Sequence, residues 1–112
     1  MIIYLNEKYL PDDEAKISIH DSSYLFGEGL FETFRSYDGK IPFLHDHLQR
    51  LEWSCTFLDF EFPTNIDFKN ICDTLLEEND LKTARFKIML SRVPATENAP
   101  CLLYTSDAAD ES

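Results

Sequence analysis

The run Tyr24-Leu25-Phe26-Gly27-Glu28-Gly29-Leu30-Phe31-Glu32-Thr33-Phe34-Arg35 continues through Asp38-Gly39 to His45-Asp46-His47-Leu48-Gln49-Arg50-Leu51. Two glycines one residue apart mark a backbone that turns sharply, because glycine reaches positive φ without steric cost. Beyond them the side chains divide with period two. Phe31, Thr33, Arg35 and Tyr37 share one face, and Leu30, Glu32, Phe34 and Ser36 share the other. Neither face is purely apolar. Asp38-Gly39 is a two-residue hairpin signal, since both central positions of such a turn need positive φ, and it sends the chain back through 40–43. From Leu44 the period changes. Leu44, Leu48, Leu51, Cys55 and Leu58 form one stripe of an amphipathic helix, with His47, Arg50 and Ser54 on a neighbouring polar stripe. A tight loop therefore feeds a strand, a hairpin and a helix with one face for a core and one able to hold an anion.

The remaining chain supplies more of the same parts. Short β-type runs at 2–5 and 8–10 flank Asn6-Glu7 and end at Pro11, and 17–19 alternates as a further short strand. Beyond Pro63, Thr64 or Asn65 is the expected cap of a second helix with the stripe Phe68, Ile71, Cys72, Leu75 and Leu76. A strand is predicted over 84–92, with Phe86, Ile88 and Leu90 inward and Arg85, Lys87, Met89 and Ser91 outward. Strands over 2–5, 17–19, 30–37, 40–43 and 84–92 with two packed helices predict an α+β domain with a mostly antiparallel sheet. Phe31, Phe34 and Trp53 are candidates for apolar surface that meets other parts of a larger protein.

Composition limits the partners. With 112 residues, 44% hydrophobic and 13% aromatic, the chain is long enough for one domain with a modest core. Its net charge of −11 disfavours nucleic acid and anionic membrane, which reward clustered Lys and Arg. There is no apolar stretch of roughly 18 residues and no charged-then-apolar leader, so a cytoplasmic location is expected. Cys55, Cys72 and Cys101 are odd in number and far apart, which fits buried free thiols rather than a disulfide or metal set. His45 and His47 sit at i and i+2, which point to different sides of a helix, so no metal site is expected. His20 and Asp21 lack a nucleophile at a meaningful spacing and are read as loop-shaping hydrogen bonders. Arg50 stands out by chemistry, because a guanidinium is a fixed fork of donors suited to phosphate and charged at any relevant pH.

The glycine loop and strand, the Asp-Gly hairpin and the His47-x-x-Arg50-Leu51 helix together resemble the N-terminal domain of the fold-type IV pyridoxal-phosphate enzymes. These are the class IV aminotransferases, including branched-chain and D-amino-acid aminotransferases and aminodeoxychorismate lyases. The resemblance runs over about 2–92. It implies pyridoxal 5'-phosphate as cofactor, with Arg50 binding its phosphate and Phe31 and Thr33 facing the substrate. It also implies an amino acid or 2-oxo acid, a small molecule, as substrate and a homodimer as the full-length protein. By the same resemblance the catalytic lysine lies in a second domain. None of Lys8, Lys16, Lys40, Lys69, Lys82 and Lys87 matches it, so the fragment alone is expected to be inactive.

Within that family, D-amino-acid aminotransferases carry a tyrosine where Phe31 stands and an Arg-x-His carboxylate trap after the strand. Here that region reads Val93-Pro94-Ala95-Thr96-Glu97-Asn98. Phe31 to Arg35 and Phe86 to Arg92 look more like aminodeoxychorismate lyases, which make 4-aminobenzoate, and unassigned class IV enzymes. A different class also accounts for some features: a non-catalytic α+β domain for protein interaction or for a phosphorylated metabolite held by Arg50.

The run from Cys101 to Glu111 resembles the conceptual translation of a transposase adapter used to prepare sequencing libraries. On that reading 1–100 is the N-terminal domain and 101–112 a non-native tail, expected to pack poorly. Without Asp107, Asp110 and Glu111 the charge moves from −11 to −8, which leaves the chain acidic.

Overall fold

A hairpin opens the chain because Asn6 and Glu7 take φ of 50° and 72°, the backbone that a two-residue primed turn demands. It joins β1 (Ile2–Leu5) to β2 (Lys8–Pro11), with Ile3 opposite Leu10 and Tyr4 opposite Tyr9. The computed structural model describes residues 1–20 and 27–91 and the backbone of 101–107. In chain order the later elements are β3 (Gly29–Arg35), α1 (Leu44–Phe57), α2 (Phe68–Glu78), β4 (Ala84–Ser91) and β5 (Cys101–Asp107). The strands form one five-stranded sheet of order β2-β1-β5-β4-β3, and the pairings between them are antiparallel. The α+β class and the mostly antiparallel sheet with two packed helices are as the sequence predicts.

The core lies between the sheet and the helices. Phe86, Ile88 and Leu90 of β4 are at most 1% exposed. Phe34 on β3 sits opposite Phe86, and their rings stack at 5.2 Å and 11°. Helix α1 contributes Leu51 and Cys55, and α2 contributes Phe68, Ile71, Cys72, Leu75 and Leu76, its entire predicted stripe. One buried polar side chain, Ser36, is satisfied on both sides. Its Oγ accepts the Ala84 N–H at 2.9 Å and donates to the Lys82 carbonyl at 2.9 Å, which ties the end of β3 to the start of β4.

Several local expectations are corrected. Residues 17–19 form no strand, and Ile17 and Ile19 are exposed, so their alternation has no sheet edge to pair with. Asp38 and Gly39 do take φ of 52° and 80°, but the returning chain makes only the bridge Tyr37 to Lys40. Pro42 has no N–H for a ladder, and Phe43 turns to φ 61° to start α1, so 40–43 cannot continue as a strand. The cap of α2 is Asp67, not Thr64 or Asn65, because its Oδ1 accepts the Asn70 N–H at 3.1 Å. Phe34 is buried rather than a surface contact, while Phe31 and Trp53 are exposed. Leu58, at the end of the α1 stripe, is also exposed.

The backbone of 101–107 runs as strand β5, an element that the sequence reading did not predict, with Ile88 opposite Leu103 on one side and Tyr4 opposite Leu103 on the other. Without β5 an edge of β1 and an edge of β4 would stand unpaired, and the run Leu102-Leu103-Tyr104-Thr105 has the β propensity to fill that place, since ladder hydrogen bonds are made by the backbone. Residues 108–112 lie outside the described residues. So do 21–26 and 92–100, which include Asp21, the Tyr24-Leu25-Phe26 part of the glycine loop and the Val93 to Asn98 region.

Candidate functional site

Period-two alternation along β3 turns Glu32 towards α1, beside Phe34, and there a carboxylate needs a cation. Helix α1 lies against β3 and supplies one. Arg50 donates from Nε to Glu32 Oε2 at 2.9 Å and from Nη2 to the same oxygen at 2.7 Å, with Nε also 3.3 Å from Oε1. His47, one helical turn earlier, places Nδ1 3.2 Å from Glu32 Oε2 and 3.1 Å from Arg50 Nη2. Its ring lies 5.5 Å from that of Phe34.

The two contacts of His47 Nδ1 belong to different protonation states. With a lone pair at Nδ1 the imidazole accepts from Arg50, whereas with a proton there it donates to Glu32. Glu32 is 12% exposed at the side chain and Arg50 62%, so a firmly held carboxylate on the strand grips an arginine whose outer edge is open. The hydrogen bonds and charge of Glu32 raise the Arg50 pKa further above its ordinary value, which keeps the guanidinium charged. Among the described residues nothing else bonds Arg50, so Nη1 retains both donors. Ser54, on the same polar stripe, joins none of these bonds and is half-buried.

Phe31 and Thr33 occupy the other face of β3. Phe31 is 63% exposed, and Lys87 Nζ sits 4.8 Å over its ring. Thr33 lies directly opposite Lys87 in the ladder. The three sequence-predicted residues are therefore divided: Arg50 is held behind the strand through Glu32, while Phe31 and Thr33 line the front. Sequence reasoning did not single out Glu32. Its signal was a carboxylate on the strand face that also carries Leu30 and Phe34.

Among the described residues no group of three or more His, Cys, Asp or Glu is arranged to hold a metal ion, and no helix is long and apolar enough to cross a membrane.

Comparison with known proteins gives concordant matches. The chain is 34% identical over 93 residues to a putative branched-chain-amino-acid aminotransferase of Methanocaldococcus jannaschii, which covers 82% of this chain and 32% of that protein. It is 37% identical over 92 residues to the aminodeoxychorismate lyase of Bacillus subtilis, covering 80% of this chain and 31% of the lyase. The chain thus spans about a third of the length of these relatives. Among solved structures, a hypothetical aminotransferase from Mycobacterium tuberculosis, bound to alpha-ketoglutarate and PMP, superposes with a TM-score of 0.82 at 18% identity. That match covers 96% of this chain and 40% of the other, and shows the shared fold. The family model for amino-transferase class IV matches residues 29–111, the span that holds Glu32, His47 and Arg50, and the chain belongs to that family.

Proposed function

We propose that this chain is the N-terminal part of a pyridoxal-phosphate-dependent enzyme that moves amino groups between amino acids and 2-oxo acids. Arg50 holds the cofactor phosphate, and Phe31 and Thr33 face the substrate. The observation that carries the reading is the Arg50 guanidinium. Its Nε and Nη2 edge is fixed by Glu32, and its Nη1 donors are open on an exposed side chain. A phosphate fits the open Nη1 side, since it offers several acceptor oxygens to donors with a set direction. Bound pyridoxal phosphate supplies an electron sink that allows an amino group to change carbon skeletons.

This chain's residues bind and orient. Arg50 donates to the phosphate, the exposed Phe31 ring offers an apolar face under Lys87 to the substrate, and the Thr33 hydroxyl offers one donor and two acceptors opposite Lys87. The lysine that carries the cofactor is assigned to residues outside 1–112, so this fragment alone is inactive. The complete protein is read as a cytoplasmic homodimer, in which exposed Phe31 and Trp53 are covered. Residues 1–100 are assigned to the domain proper and 101–112 to the adapter-like tail, of which 101–107 form β5. Sequencing the source DNA past the codon for Pro100 tests this. A reading frame that continues into a different strand, then a lysine-bearing domain, is expected, and recovery of 101–112 from intact genomic DNA contradicts it.

A second reaction is favoured by one observation, the 37% identity to an aminodeoxychorismate lyase. The complete protein should be assayed for transfer from L- and D-amino acids to 2-oxo acids, and for 4-aminobenzoate formation from aminodeoxychorismate. Activity in the first assay supports the transaminase and in the second the lyase. Failure to bind pyridoxal phosphate at all contradicts both.

A further inference from the structure

We propose that Glu32 is the positioning residue of the anion site, setting the direction in which Arg50 presents its free donors. The proposal rests on the reading of Arg50 as the phosphate anchor. Arginine has large rotamer entropy, and an exposed one on a helix samples many directions. Here the guanidinium is held at two nitrogens by Glu32, 2.9 Å at Nε and 2.7 Å at Nη2. In the tautomer with a lone pair at Nδ1, His47 adds a second hold, 3.1 Å from Nη2. The grip is rigid at its base. Glu32 stands on a strand paired along its length with β4, opposite buried Ile88, and its own side chain is largely covered.

The geometry decides between two roles for this carboxylate. If Glu32 served only as countercharge, it would repel an arriving phosphate, and removing its charge would strengthen binding. If it positions Arg50, its loss frees the guanidinium to rotate, and the ordering then has to be supplied by the ligand. Both nitrogens it engages lie on one edge of the planar group, so the opposite edge is aimed as a unit. The carboxylate side of the pair stands on a strand paired along its length and is largely covered, which supports the positioning role.

The test uses the complete protein, stripped of cofactor, with dissociation constants measured for pyridoxal 5'-phosphate and for pyridoxal, which lacks the phosphate. The ratio of the two isolates the phosphate contribution. Glu32→Gln keeps the shape and one acceptor oxygen but removes the charge that strengthens both bonds to Oε2, so the grip weakens, and it should lower the preference for the phosphorylated form about tenfold, with pyridoxal binding unchanged. Glu32→Asp keeps the charge but shortens the reach, and should lower it as well. In an Arg50→Ala background, which itself should abolish the preference, Glu32→Gln should add nothing. An unchanged or increased preference in Glu32→Gln, or wild-type behaviour in Glu32→Asp, overturns the positioning role while leaving Arg50 as anchor. A preference that survives Arg50→Ala overturns the anchor itself, and the proposal with it.

Discussion

Asn79 holds Ile2 by both polar groups of its backbone. The Ile2 N–H donates to Asn79 Oδ1 at 2.7 Å, and Asn79 Nδ2 donates to the Ile2 carbonyl at 2.9 Å. A primary amide matches a peptide unit in donor and acceptor, so the residue that caps α2 extends the β1 ladder by one rung. Helix and first strand, 77 residues apart in sequence, are thereby joined.

Asn79→Ala should therefore destabilise the domain by about 1–3 kcal/mol, the net worth of two hydrogen bonds to backbone groups with little access to water. Asn79→Asp keeps an acceptor but sets a carboxylate against the Ile2 carbonyl, and should also be less stable than wild type. Urea unfolding followed by far-UV circular dichroism reads both changes. Equal midpoints for wild type and Asn79→Ala would remove this link from the account.

Burial separates the two classes of large apolar residue. Leu75 is 0% exposed at the centre of the core, so Leu75→Ala should cost about 2–5 kcal/mol through lost transfer energy and a residual cavity. Trp53, 71% exposed and 6.3 Å from the Phe57 ring, should change the stability of the isolated domain by no more than about 0.5 kcal/mol when replaced by alanine. A large loss at Trp53, or a small one at Leu75, would show that the core is drawn in the wrong place.

Burial pushes the Cys72 thiol up from 9.0 to about 12, with the Asp73 carboxylate adding to the effect, and burial raises Cys55 as well. A thiol that ionises less readily when folded favours the folded state fully below pH 9.0, and that contribution is lost as pH rises towards about 12. Two outcomes are expected. Alkylation of Cys72 at pH 8 should be slow in the folded protein and fast in urea, and the urea midpoint should fall between pH 9 and pH 11 more steeply in wild type than in Cys72→Ala. Rapid alkylation of the folded chain at pH 8 would contradict the burial of this residue.

Much of the fold was legible because periodicity reports burial. The stripe Phe68, Ile71, Cys72, Leu75 and Leu76 and the inward set Phe86, Ile88 and Leu90 follow directly from spacing, since each has a single face to bury. The misses at 17–19 and 40–43 arise where alternation is local but a strand needs a partner, and none is supplied there. The same rule worked in reverse at 101–107, where pairing to β1 on one side and β4 on the other makes a strand that the reading of this run as a tail did not predict. At the site, Arg50 was visible from its helix stripe and from the family resemblance. Glu32 was not singled out, because a contact between residues 18 apart depends on how α1 is laid against β3.

The central claim is that Arg50 anchors the phosphate of pyridoxal 5'-phosphate, and the dissociation constant of the cofactor for Arg50→Ala in the complete protein tests it most directly. Charge-assisted hydrogen bonds contribute about 1.5–3 kcal/mol each, so losing two should weaken binding by about a hundredfold or more while the circular dichroism spectrum stays that of the wild type. An affinity equal to that of wild type would contradict the claim and return Arg50 to a solvated helix residue paired with Glu32.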